Sequence, residues 1–526
     1  MSITAPIAVG AERPTVNPWI IALTVTLATF MEVLDTSVAN VSLPHIAGSL
    51  SASVDESTWV LTSYLVSNAI ILPMSGWFSS LIGRKNFYMS CVAIFTLSSL
   101  MCGLSTSLPM LIVCRVMQGA GGGGLQPSEQ AILADTFPPK QRGMAFAVYG
   151  MAVVLAPAIG PTLGGWITDN FQWRWIFFIN IPVGLISLML THRLIQDPPY
   201  LRQQKKNRRV DYIGLGLLAV GLGFLQVVLD KGERDDWFAS HFILVTTVVS
   251  IAALIALVIW EWRNADPIID LHLFRERSFA IGTFLMFMVG FALMSSTVLL
   301  PLFMQTILGY TAEKAGLALM PGGFAIIVAM PLIGFLLSRY DARWLLVFGL
   351  ALLSFALFFM TGFDPQMNFA TAATARVLQG LGLSCLFVPI NTAAYAFLPK
   401  EKNNAASGLI NLARNVGGSL GISLVATMLS RRTQFHRARL VGQLNAGNGG
   451  FEATLQSLIH MFMSRGSSLS LATHEAYAMI GSMVNQQATM LAYVDDFWMV
   501  GWAVLVMIPL VFLMKRVKPG GPMAVH

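Results

Sequence analysis

Long apolar runs alternate with short polar breaks over most of the chain. A hydrocarbon core about 30 Å thick is crossed by about 20 apolar residues in helical form. Runs of that length predict fourteen transmembrane helices. They fall near 17–40, 57–80, 87–105, 108–134, 143–168, 174–194, 211–230, 241–262, 279–304, 313–338, 344–362, 369–398, 404–429 and 494–514. One polar stretch is long, 430–493, just ahead of the last span. Within it Leu455, Leu458, Ile459 and Phe462 recur at helical spacing, Arg465-Gly466 interrupts, and Tyr477, Ile480, Val484 and Leu491 resume. That spacing predicts two short amphipathic helices outside the bilayer, covering the protein's own outer face or docking a partner. The fold class is an all-α polytopic membrane protein.

The pattern repeats. Arg115-Val-Met-Gln118-Gly119 returns as Arg376-Val-Leu-Gln379-Gly380, 261 residues later. Pro73-Met-Ser-Gly76 returns as Pro331-Leu-Ile-Gly334 at an offset of 258, and Lys140, after a proline, as Lys400 at 260. Six spans end by residue 194, and the seventh and eighth fill the remaining distance. The expected architecture is two six-helix units with an inserted pair between them. An even insertion leaves both units in one orientation, as parallel repeats about an axis normal to the membrane. The boundaries follow: an N-terminal bundle over 1–200, a basic linker (Leu201–Arg209) with the inserted pair over 201–265, and a C-terminal bundle over 266–526 that carries the outer loop.

Composition agrees. Of 526 residues 55% are hydrophobic and 11% charged, against about 25% charged in soluble proteins, so a soluble globule is excluded. The net charge of +7 is a topology signal and not a mark of nucleic-acid binding. With a cytoplasmic N-terminus and fourteen spans, 21 of the 33 Lys and Arg fall inside, nine outside and three within spans; five of the nine lie in the 430–493 loop. This bias places both termini in the cytoplasm. The four cysteines all lie in apolar runs without metal-ligand spacing. Gly119–Gly124 is followed by no Lys-Ser/Thr, so it is no phosphate loop. No enzyme, metal or cofactor chemistry is expected. The run 17–40 lacks a cleavage site and is expected to remain as the first helix.

Charge inside hydrocarbon costs about 2.5–3.5 kcal/mol on insertion scales, so the charged residues of the spans are the candidate chemistry. Glu32 and Asp35 are three apart on the first span and share a face. At ~1.5 Å per residue, Asp35 and Arg115 come to similar depth, and pairing across the bundle is expected. Burial favours a carboxylate's neutral form and a nearby arginine its ionised form; a group poised between them exchanges protons. A static ion pair is the other reading of the same two residues. Glu32 is open between proton site, substrate contact and solvated residue. Glu129 follows Gln126-Pro127 near the inner end of the fourth span, lining a cavity or lying at the interface. Gln118, Gln126, Arg376, Arg414 and Asn411 are candidates for substrate cavity or gate. Gly160-Pro161, with Gly164-Gly165, predicts a bend in the fifth span, because proline removes a helix hydrogen bond. The 28 Met and 33 Phe mostly pack the core or face lipid; those lining a cavity suit hydrophobic substrates.

Four motifs together resemble the major facilitator superfamily, and more narrowly its fourteen-helix drug:proton antiporters of the EmrB/QacA type. They are Leu34-Asp35-Thr36-Ser37-Val38-Ala39-Asn40-Val41-Ser42-Leu43-Pro44 in the first span, Arg115 to Gly119 in the fourth, Gly160-Pro161-Thr162-Leu163-Gly164-Gly165 in the fifth, and Trp173-Arg174-Trp175-Ile176-Phe177-Phe178-Ile179-Asn180-Ile181-Pro182-Val183-Gly184 leading into the sixth. The resemblance runs end to end, with departures. Gly83-Arg84-Lys85 is kept, but Ser80 and Leu81 replace the Asp and Arg that provide a charge lock in the family, and Ala156 replaces a glycine. The resemblance implies proton-coupled export of hydrophobic or amphipathic drugs and toxic compounds across the bacterial inner membrane by alternating access. It also implies a periplasmic adaptor and an outer-membrane channel as partners. The alternative is a proton-coupled transporter of one specific metabolite, a siderophore or fatty acid.

Overall fold

The computed structural model describes residues 17–197, 211–264, 267–444 and 449–516. The basic segment Leu201–Arg209 and both expected domain boundaries lie outside the described residues. The chain is helical throughout: α1 (Pro18–Ser49), α2 (Val54–Ser57), α3 (Trp59–Ile82), α4 (Arg84–Gly103), α5 (Leu108–Gly122), α6 (Leu125–Thr136), α7 (Pro139–Asn170), α8 (Trp175–Phe178), α9 (Asn180–Leu194), α10 (Tyr212–Lys231), α11 (His241–Arg263), α12 (Arg277–Thr306), α13 (Ala312–Leu317), α14 (Met320–Leu337), α15 (Ala342–Met360), α16 (Phe369–Tyr395), α17 (Asn403–Val441), α18 (Gly449–Ser464), α19 (Leu469–Leu505) and α20 (Ile508–Val511). Side chains start many of them. Asn17 caps α1 ahead of Pro18, Ser107 caps α5, Asp211 caps α10 and Asn368 caps α16, each accepting from a backbone N–H of the first turn.

Among the described residues twelve helical stretches are long and apolar enough to cross a bilayer, or thirteen if the two limbs of α7 count as one bent span. The sequence predicts fourteen. The stretch not counted is the predicted fourth span, which is divided into α5 and α6 at Gly123-Gly124. Each piece is short, and they carry Arg115 and Glu129 inward. The bend in α7 is 44° and falls between Pro157 and Ile159, ahead of the Gly160-Pro161 pair expected to make it. Gly160 serves another purpose: a Cβ there would lie 2.3 Å from Ser37 Oγ on α1, so the missing side chain lets α1 and α7 touch.

α10 bridges helices that precede and follow it in the chain. Along α10, Lys231 Nζ donates to Thr58 Oγ1 at 2.5 Å, Thr62 bonds Asp230, and Gln226 Nε2 donates to Ser419 Oγ on α17 at 2.9 Å. In the following turn Trp237 Nε1 donates to Thr427 Oγ1 at 3.0 Å. α11 lies outermost and shows Val245, Val248, Ile251, Ile255 and Val258 on its exposed face, as a lipid-facing helix does.

The outer segment differs from expectation. It is not a loop with two short helices. Both flanking helices run on: α17 has 39 residues and α19 has 37, about 55–60 Å each at ~1.5 Å per residue, nearly twice the hydrocarbon thickness. A single short helix, α18, packs Leu455 and Ile459 against Ala472, Ala476 and Ile480 of α19. Asp495 ties the long helices together, accepting from Arg432 Nε at 2.6 Å with His436 Nε2 at 2.7 Å.

Candidate functional site

The interior polar groups of the first half gather on two carboxylates of α1. Asp35 is 2% exposed and Arg115, on α5, 0%. Arg115 Nη1 donates to Asp35 Oδ2 at 2.6 Å. Two further donors converge on Oδ1: Asn180 Nδ2 at 2.7 Å and Gln118 Nε2 at 3.0 Å. Arg115 is itself held from several sides. Its Nε donates to the Val60 carbonyl at 3.1 Å, its Nη1 also reaches Gln118 Oε1 at 2.8 Å, and the Tyr64 ring centroid lies 4.3 Å from the guanidinium carbon. The predicted pair is therefore present. Charge-assisted bonds of this kind are about twice as strong as neutral ones.

Glu32, one turn earlier, is 4% exposed and faces no open vestibule. Its Oε1 accepts from Tyr64 Oη at 3.0 Å and Asn68 Nδ2 at 3.3 Å, and its Oε2 from Gln126 Nε2 at 2.6 Å. The other end of the Gln126 amide takes a bond from Arg414 Nη2, on α17 of the second half. Arg414 Nη1 reaches Tyr149 Oη at 3.2 Å, and Tyr149 Oη lies 3.1 Å from Asn411 Oδ1. Glu129 is fully buried, not exposed, and its Oε1 accepts from Thr26 Oγ1 at 2.6 Å. Thr26, which holds Glu129, lies nine positions before Asp35 on α1 with Glu32 between them, so the three carboxyl groups form a file of about 14 Å along the helix axis.

Toward the end of the bundle where α1 begins, the halves meet directly. Gln130 Oε1 accepts from Ser407 Oγ at 2.6 Å, Tyr395 Oη at 2.9 Å and Asn411 Nδ2 at 3.1 Å. Asn404 Nδ2 donates to the Ser75 carbonyl at 2.9 Å. A Cβ on Gly76 would lie 2.7 Å from Ala405 Cα, and one on Gly408 2.7 Å from the Leu72 carbonyl oxygen. The kept Arg84 pairs with Asp135 at the end of α6, whose Oδ1 also accepts from Asn403 Nδ2 at 3.4 Å. A charge lock thus exists despite Ser80 and Leu81, with its acid drawn from another helix. Gly76→Val has no room on this seam and is expected to part the halves here. In that background a Ser407→Cys reporter, buried in the parent protein, should be labelled by a small maleimide several-fold faster than in the parent. Equal labelling would mean that the seam is not what closes this end.

Of the predicted residues, Asp35, Arg115, Gln118, Glu32, Gln126, Arg414 and Asn411 are linked into one network. Glu129 lies on the same file, bonded to Thr26. Arg376 stands apart, bonded to Ser296, Thr297 and Gln379 of its own half. Gly160 packs on Ser37 of α1, and Pro161 follows it inside α7. The sequence reading missed Tyr64, Asn68, Gln130, Tyr149 and Asn180. Only Asn180 left a signal, within the Ile179-Asn180-Ile181-Pro182 motif.

Residues 25–422 match the family described as Major Facilitator Superfamily. Over 497 residues the chain is 36% identical to the multidrug export protein EmrB of Escherichia coli (strain K12), covering 94% of this chain and 95% of that protein. Over 496 residues it is 35% identical to the fatty acid resistance protein FarB of Neisseria gonorrhoeae, covering 94% and 96%. The solved proton:xylose symporter XylE, bound to 6-bromo-6-deoxy-D-glucose, aligns with a TM-score of 0.63 at 14% identity over 96% of this chain and 97% of its own, a likeness of fold alone.

Proposed function

Because the chain belongs to the Major Facilitator Superfamily, we propose that it exports hydrophobic or amphipathic compounds, drugs among them, across the bacterial inner membrane in exchange for protons. It is a transporter and not an enzyme. The observation that carries this reading is the placement of Glu32. A buried carboxylate that can gain or lose a proton is braced by Gln126, and the same amide is held by Arg414 of the other half. Proton occupancy on α1 and docking of α17 then act on one side chain, which is what coupling requires.

In this reading α5 and α6 together form the fourth of fourteen spans and α7 the fifth. Both termini are cytoplasmic. The units are 1–200 and 266–526, parallel repeats joined by the linker and pair of 201–265. The seam at Gly76, Gly408 and Gln130 is then the closed inner gate, and the state is outward-facing. A proton arriving from outside loads Asp35 or Glu32, substrate leaves, and the halves rock about the midplane. Glu129 lies between the pair and the inner face and receives the proton on its way in, while Arg414 and Asn411 part from Gln126, Tyr149 and Gln130 as the seam opens. The bend in α7 beside Gly160-Pro161 gives that motion a hinge. One proton moving down ~100 mV supplies ~2.3 kcal/mol, roughly a fiftyfold gradient of a neutral substrate. Proteoliposomes made acidic outside should drive export of an amphipathic dye, and a collapsed gradient should stop it. Export that ignores the gradient would refute proton coupling.

The long α17 and α19 with α18 form the docking surface for a periplasmic adaptor, through which an outer-membrane channel is reached. Pull-down from native membranes should recover an adaptor with the full chain and lose it on deletion of 440–490. Recovery of no adaptor with the full chain counts against the tripartite assembly. The name of FarB favours a second reading, in which one class of metabolite, a fatty acid, is the physiological cargo.

A further inference from the structure

The two halves repeat one hydrogen-bond arrangement with a single group exchanged. In the first, Arg115 Nη1 donates to Gln118 Oε1 and to Asp35 Oδ2, while Gln118 Nε2 donates to Asp35 Oδ1. Each residue has a counterpart 261 positions later: Arg376, Gln379 and Ser296. Arg376 Nη1 donates to Gln379 Oε1 at 2.6 Å and to Ser296 Oγ at 3.4 Å, and Gln379 Nε2 donates to that same hydroxyl oxygen. A neutral hydroxyl stands where the first half has its carboxylate.

The charge of Arg376 is left unmatched. Its remaining bond is from Nη2 to Thr297 Oγ1 at 3.0 Å, and among the described residues no acidic side chain pairs with it. Nε–H and one Nη2–H have no acceptor there. Nε and Nη2 lie along one edge of the guanidinium, the edge that takes a carboxylate in a fork. On Arg115 that edge is closed off: Nε is bound to the Val60 carbonyl, and Nη2, which has no hydrogen-bond partner, is sealed in with the Tyr64 ring lying over the cation. The counterpart of Tyr64 is Gly322, 258 positions later, the offset that also relates Pro73 to Pro331. The packing agrees with that correspondence. A Cβ on Gly119 would lie 2.3 Å from the Tyr64 carbonyl oxygen, and one on Gly380 2.5 Å from that of Gly322. The ring that covers one guanidinium is a hydrogen atom beside the other, and Arg376 is 8% exposed where Arg115 is sealed. A cation this buried is costly without a counter-charge.

We infer that Arg376, with Gln379, Ser296 and Thr297, binds the carboxylate of an amphipathic acid. This rests on the reading of the chain as a carrier of amphiphiles and adds the chemistry of one subsite. The acid's carboxylate sits on the open Nε–Nη2 edge and supplies the counter-charge that Asp35 supplies in the first half. The second half thereby carries substrate charge where the first carries the proton.

Binding of 2-naphthoate and of its neutral isostere 2-naphthamide to the purified full-length protein, with no gradient present, tests this. The parent protein should prefer the carboxylate by about tenfold or more, as expected for one charge-assisted pair. Arg376→Gln should bring the two affinities together. So should Ser296→Asp, which supplies Arg376 with an internal carboxylate and leaves the guanidinium in place. An unchanged preference in both variants overturns the inference, as does displacement of 2-naphthoate by chloride at equal affinity, which would mark a site for free anions. Equal binding of both probes by the parent overturns this inference alone; binding of neither also counts against the carrier reading.

Discussion

Asp35→Asn is expected to abolish pH-driven exchange while substrate still binds. The substitution keeps the shape of the side chain and removes the ionisable group. Three donors from Arg115, Gln118 and Asn180 converge on Asp35, and an amide offers them one acceptor oxygen where the carboxylate offers two. The position becomes permanently neutral, so the proton it carried across has no seat. In proteoliposomes acidified outside, exchange should fall to the level of protein-free vesicles. Equilibrium binding of the same substrate without a gradient should persist, because Glu32, Gln126 and the inter-half contacts are untouched. Full-rate exchange by Asp35→Asn would shift the proton's seat to Glu32, and Glu32→Gln is then the variant that loses coupling.

Arg115→Leu should be the most destabilising single change in the first half. Removing one partner of a buried pair leaves the other charge uncompensated, which costs about 3–5 kcal/mol. The loss is compounded because Arg115 also satisfies Gln118 and the Val60 carbonyl. The double variant Arg115→Leu with Asp35→Leu should recover much of that stability, since it buries no charge there. Thermal unfolding midpoints of the three purified proteins check this. A single variant as stable as the parent, or a double variant no better than the single, would show that the pair contributes no mutual stabilisation.

Depth along a span was legible in the sequence, because helical rise is constant; counting residues placed Asp35 opposite Arg115. Of the fourteen apolar runs, twelve or thirteen return among the described residues as helices long and apolar enough to cross a bilayer; the fourth does not, because it is divided at Gly123-Gly124 and carries Arg115 and Glu129. Partners across the two halves were not legible. Arg414 reaches Gln126 only once α17 docks on α6 and α7, and nothing local to either segment encodes that docking. Tyr64, Asn68, Gln130 and Tyr149 were missed because neutral polar residues are affordable in a buried helix and carry no insertion penalty large enough to mark them. The outer reach of α17 and α19 was read as loop because its polar residues break the apolar run. Helices continue there because a helix satisfies its backbone hydrogen bonds internally whether its side chains are apolar or polar.

The Gln126 side chain gives its nitrogen to Glu32 and its oxygen to Arg414. Rotated by half a turn, it would set oxygen against carboxylate and nitrogen against guanidinium, so its sense is locked by its neighbours at both ends. Withdrawal of Arg414 removes one of these constraints and an uncharged acid at Glu32 removes the other. One small group thus obeys two masters, and it turns freely only when both have let go. Molecules that span both neighbours with an acceptor and a donor at amide spacing would hold the sense fixed and stall the cycle without competing for the cargo's place.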